Sequence, residues 1–96
     1  MDPKGDDPFQ EWLDQLKDTR TVSRILVRLH RVEHGDFGEW SSIGSGVCEL
    51  KFDFGPGYRV YYGMDNDDLI LLGGGSKKQQ SSDIRKATER WEDYNA

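Results

Sequence analysis

The spacing of apolar residues changes period twice along this chain, and those changes limit what it can fold into more than any other feature. From Phe9 to Val32 apolar side chains recur every three or four residues. From Val47 to Leu72 they alternate, or run together in short blocks bounded by glycine and aspartate. Past Ser82 the helical spacing returns. The order is therefore two helices, three strands and a final helix, an α+β domain in which helices cover one face of a small antiparallel sheet.

The first helix is announced by Asp7-Pro8, an N-cap followed by proline at the first helical position, with Glu11 in the first turn. Phe9, Trp12, Leu13 and Leu16 share one face, and the helix is expected to end near Asp18. A second helix runs from Thr19 or Thr21 to His34, with Gly35 placed to stop it. It buries Val22, Ile25, Leu26, Leu29 and Val32, while Arg20, Arg24, Arg28 and Arg31 form a separate stripe that reads as a solvated face. The short gap between the two predicts an N-terminal helical hairpin packed on the sheet.

Residues 35–46, GDFGEWSSIGSG, are loop by composition. In GVCELKFDFGPGYRVYY the alternation predicts a β-hairpin whose connection is Gly55-Pro56-Gly57. Pairing Phe54 with Tyr58, Phe52 with Val60 and Leu50 with Tyr62 puts every apolar member on one face. MDNDD is a turn, LILL at 69–72 is a short apolar strand, and GGGSKKQQSS is a polar loop. Ile84, Ala87, Trp91 and Tyr94 then mark a C-terminal helix that starts near Ser82 or Asp83.

That register sends Glu49, Lys51, Asp53, Arg59 and Tyr61 to the face away from the helices, with Arg59 opposite Asp53 and Lys51 opposite Tyr61. Two readings stay open. One is an exposed salt-bridge ladder contributing less than about 1 kcal/mol. The other is a phosphate site in which Arg59 and Lys77 hold the anion while Glu49 and Tyr61 move protons. The glycines before Lys77 and Lys78 would let backbone N–H groups approach an anion, although the P-loop spacing is absent. His30 and His34 lie at i, i+4 without a zincin glutamate or a cysteine beside them, so no metal is expected.

The 96 residues make one domain, with residues 1–7 expected to be flexible. No apolar run approaches about 20 residues, so no membrane span is expected, and the lone Cys48 with no leader pattern makes the cytoplasm the default. Net charge is −5, which argues against general nucleic-acid binding, yet Asp2, Asp6, Asp7, Glu11 and Asp14 account for much of it. The rest is near neutral and leaves room for a local cationic patch.

Taken in order, PFQEWLDQLKD, RILVRLHRVEHGDFG, GSGVCEL, GPGYRVYYG and LLGGGSKKQQSSDI, followed by a Trp–Tyr helix, resemble the HigB-like branch of the RelE/ParE toxin superfamily, the short "addiction module killer proteins" of bacterial type II toxin–antitoxin systems. The resemblance covers residues 8 to about 94. It implies a RelE-like fold and a metal-independent, cofactor-free endoribonuclease that cuts messenger RNA on the ribosome. There the substrate's own 2′-OH attacks phosphorus and leaves a cyclic phosphate. It implies phosphate binding at Arg59, a second cation at Lys77, and acid–base groups near Glu49 and Lys51. Tyr61, Lys78 and Gln80 are the expected substrate contacts. The implied partner is a cognate antitoxin, through which operator DNA is also reached. The alternative within the superfamily is a non-enzymatic module, either a ParE-like gyrase poison or an inactive relative that only binds antitoxin. Three departures are visible: MDPKGDD shows no opening strand, Ile84 stands near the place of a tyrosine used by some relatives, and the chain is acidic where ribosome-binding toxins are commonly basic.

Overall fold

Asp7 caps the first helix as its sequence demands. In the computed structural model, which describes residues 7–96, the Gln10 amide donates to Asp7 Oδ1 at 3.1 Å and helix α1 spans Pro8–Gln15. The expected flexibility of residues 1–6 lies outside the described residues. Helix α2 spans Thr19–Glu33 and is capped by Asp18, which accepts from the Arg20 amide at 3.0 Å and from Thr21 Oγ1 at 3.1 Å. Gly35, at φ +91°, follows its end.

Four strands follow, in the order β1(Trp40–Gly44), β2(Val47–Lys51), β3(Tyr58–Asp65) and β4(Asp68–Ser76), each antiparallel to the next. The expectation of a loop across residues 35–46 is corrected by β1. Its turn, Ser45-Gly46, has positive φ at both positions (57° and 83°), the geometry of a two-residue hairpin whose twist matches the strands. A one-turn 3₁₀ segment, Lys77–Gln79, leads into α3(Gln80–Asn95). The supposed polar loop GGGSKKQQSS is thus the end of one element and the beginning of another.

The β2–β3 register differs from expectation by two residues. Leu50 pairs with Val60, Lys51 with Arg59, Glu49 with Tyr61 and Cys48 with Tyr62. A slip of two preserves which face each side chain occupies, so the core set survives while the cross-strand partners change. The physical reason lies in α2. Arg28 donates to the Lys51 carbonyl at 2.5 Å, and its guanidinium lies over the Phe52 ring at 4.8 Å; the Arg24 guanidinium lies over Phe54 at 3.7 Å. Phe52 and Phe54 lie past the end of β2 and pack beneath these arginines, the Phe52 amide still donating to the Tyr58 carbonyl at 3.0 Å, and the connection between the strands lengthens accordingly.

The sheet is covered on both faces, which corrects the expected single helical layer. On one face Phe9, Leu13, Ile25, Leu29 and Val32 from α1 and α2 pack with Leu50, Phe52, Val60 and Tyr62. On the other, α3 places Ala87, with Ile84 and Trp91, over Val47, Tyr61 and Leu72. The glycines of β4 make room for both layers: a Cβ at Gly74 would strike the Trp12 ring of α1, and one at Gly75 would strike Asp83 of α3. They serve close helix packing and are not an anion-binding loop.

Candidate functional site

The second layer changes what the polar face of the hairpin is. Glu49, Lys51, Arg59 and Tyr61 do share that face, but α3 crosses it, so the bare face expected from the alternation does not exist. Glu49 is 3 % exposed and Tyr61 is fully buried. The Arg59 side chain is 13 % exposed.

What forms instead is a polar cluster wedged between the sheet and the first turn of α3. Glu49 is its centre. Gln80 Nε2 donates to Glu49 Oε2 at 3.0 Å, Ser41 Oγ donates to Oε1 at 3.3 Å, and Arg59 Nε stands 3.9 Å from Oε2. Each partner is delivered by a different element: Ser41 sits opposite Glu49 on β1, Arg59 comes from β3, and Gln80 opens α3. Asp83, one turn further along α3, lies against Gly75, which pairs with Arg59. Among the described residues Arg59 Nε, Tyr61 Oη and Asp83 Oδ2 are buried without a hydrogen-bond partner. Burial pushes the Tyr61 phenol well above its ordinary range, with the Glu49 charge adding to it, and burial also raises the Asp83 carboxyl.

The expected cations divide into two groups. Arg59 and Lys51 are cross-strand partners, at the end of the sheet where β2 stops and β3 begins. Lys77 arrives at the same end, since it follows Ser76, the partner of Tyr58, and its Cβ flanks Gly57. Lys77 and Lys78 are exposed, whereas Lys51 is half-buried. The Arg59–Asp53 and Lys51–Tyr61 pairings expected from the sequence are not formed. The structure therefore gathers Glu49, Arg59 and Gln80 by direct contact, sets Lys51 and Lys77 at their rim, and puts Tyr61 beneath α3 and out of reach of solvent. Ser41 and Asp83 complete the cluster, and neither is among the residues singled out for the site from sequence. The clue to Asp83 is Gly75, because a glycine directly opposite a buried arginine leaves space that another side chain must fill.

Such a cluster can hold an anion at its cationic rim and accept a proton at a carboxylate fixed by two hydrogen-bond donors, Ser41 and Gln80, with the Arg59 guanidinium close by. It does not gather metal ligands: among the described residues no three His, Cys, Asp or Glu side chains come together. His34 Nδ1 lies 2.9 Å from the His30 carbonyl oxygen, a contact local to α2. No described helix is long and apolar enough to cross a membrane.

No family model matches the chain, and no solved structure matches it. Over 63 residues it is 44% identical to an uncharacterized protein of Haemophilus influenzae, an alignment that covers 66% of this chain and 64% of that protein.

Proposed function

We propose that this chain is the toxin of a type II toxin–antitoxin pair, with the helical hairpin and sheet of a RelE-like, HigB-like fold, and that it is a metal-independent, ribosome-dependent mRNA endoribonuclease of the cytoplasm. The observation that carries the reading is the Glu49–Arg59–Gln80 cluster with Lys51 and Lys77 at its mouth. Cleavage by an internal 2′-OH asks a protein for alignment, proton transfer and neutralisation of charge developing on the phosphate. Arg59 and Lys77 supply the charge, and Lys51 lies beside Arg59 to add to it. Glu49, oriented by Ser41 and Gln80, receives the 2′-OH proton as O2′ bonds to phosphorus; the bond from phosphorus to the 5′ oxygen breaks, and that oxygen leaves with a proton from Lys51. Lys78 and Gln80 flank the path of the RNA. Tyr61 acts from beneath, fixing the strand that carries Arg59. A cognate antitoxin would cover this end of the sheet, and operator DNA would be reached through that complex.

The test is induction of the full chain in bacteria, with and without the adjacent reading frame, while RNA ends are mapped by primer extension. Codon-phased 5′ ends and growth arrest are expected, and Arg59→Ala with Lys77→Ala should abolish both without unfolding the domain. Undiminished toxicity of the folded double variant would eliminate the nuclease. The deep burial of Glu49 and Arg59 favours a second reading, an interaction module that poisons gyrase or only binds antitoxin. Arrest without phased RNA ends selects it.

A further inference from the structure

The arginine stripe of α2 takes no part in the cluster above, lying on the opposite layer of the molecule. Its four members do different things. Arg28 is spent on the fold: it donates to the Phe37 carbonyl at 3.0 Å, the Glu39 carbonyl at 2.6 Å and the Lys51 carbonyl at 2.5 Å. Arg20, Arg24 and Arg31 are exposed, and among the described residues their side chains make no ion pair or hydrogen bond. They line a groove of about 450 Å³ whose floor is Phe52 and Phe54. Val27, 52% exposed, stands in the middle of the stripe, three residues after Arg24 and four before Arg31. An apolar knob ringed by guanidinium groups is not what a solvated face needs. Asp53 is the one carboxylate among the lining residues.

We propose that this face of α2 is a docking surface for an acidic amphipathic helix of a partner protein, its carboxylates meeting Arg20, Arg24 and Arg31 and an apolar side chain closing over Val27. Charge complementarity selects acid, and the exposed Val27 selects a partner with an apolar seam. Arg20 to Arg31 spans roughly 16 Å along the axis, the length of about three helical turns. Single-stranded RNA fits less well. Arg24 occupies the face of Phe54 and Arg28 that of Phe52, so neither ring offers a free surface for base stacking.

The full chain is titrated in a fluorescence-anisotropy assay with three labelled probes. These are a helical peptide of about 15 residues bearing glutamates on either side of a leucine seam, its Glu→Lys twin, and a single-stranded RNA of about 15 nucleotides, lengths chosen to exceed three turns. The acidic peptide should bind. Arg24→Glu with Arg31→Glu should weaken it about tenfold or more, and so should Val27→Glu, which leaves every arginine in place. All three positions are exposed, and circular dichroism reports whether each variant folds; Val27→Ser is read in place of any that does not. Equal binding of the acidic and basic peptides overturns the proposal. So does binding of the acidic peptide that is indifferent to these substitutions. RNA binding that is lost in the double variant, with no acidic-peptide binding, replaces the partner helix with nucleic acid.

Discussion

The two faces of the sheet are built from the same strands but by different chemistry. Beneath α1 and α2 the contact is almost wholly apolar, with nine buried residues forming one cluster and aromatic side chains filling its edges. Among the described residues, four make up the buried apolar cluster beneath α3, and three buried polar atoms nearby have no hydrogen-bond partner. A buried donor or acceptor without a partner costs about 1–3 kcal/mol. The first face is arranged for stability. The second gives up stability around Glu49 and Arg59, the pattern expected where a protein holds groups for chemistry or for a partner.

Val60 and Val47 allow a direct comparison, since both are fully buried and each belongs to one face. Truncation to alanine removes the same two methyl groups. Val60→Ala should cost about 2–3 kcal/mol, because the surrounding rings cannot collapse into the space, and Val47→Ala about 1–2 kcal/mol. Urea titration measures both. Equal costs, or a larger one at Val47, would mean that α3 is held as firmly as the opposite layer.

A smaller effect of opposite sign is expected at Tyr61. Tyr61→Phe keeps the ring and removes a buried hydroxyl that has no partner, so stability should rise by about 1 kcal/mol. In a domain of this size that is a gain of about 4–8 °C in Tm. A loss of similar size would show that the hydroxyl is satisfied and that the α3 face is less strained than it looks. If the proposed nuclease reading holds, phased RNA ends should persist in this variant, because the phenol does not reach solvent.

How far the sequence discloses this contrast depends on the residue. The cap at Asp7 and the stop at Gly35 are local signals, and each is where the spacing puts it. In the apolar stripe of α2, Ile25, Leu29 and Val32 are buried as expected, but Leu26, expected with them, is 46% exposed because it lies at the edge of the face that meets the sheet. The side-chain sorting of β2 and β3 survives even a two-residue shift of register, because period 2 is indifferent to it. The shift itself depends on Arg24 and Arg28 capturing two phenylalanines from another element, which no local pattern encodes. The second helical layer was legible and is easily passed over. Leu69-Ile70-Leu71-Leu72 has no polar alternation, the mark of a strand buried on both sides. Ser41 is hidden for a different reason: β1 is a polar edge strand, and only its Ser45-Gly46 turn betrays it.

The smallest effect is electrostatic and tests the α3 face in its first turn. Burial raises the Asp83 carboxyl above its ordinary value of 3.8, with Lys86 and Arg90 opposing the rise. A carboxyl that binds its proton more tightly in the folded chain carries a penalty when ionised, and that penalty is present in full at neutral pH. It is relieved as pH falls through the raised folded value towards 3.8, because the native state takes up the proton first. Relative to Asp83→Asn, which cannot titrate, the unsubstituted chain should therefore gain stability on acidification across that window. Thermal melts of the two proteins at matched pH measure the difference. If it moves the other way, Asp83 is held ionised by Lys86 and Arg90, and the first turn of α3 must be set so that its carboxylate faces those cations and turns away from Gly75 and the sheet.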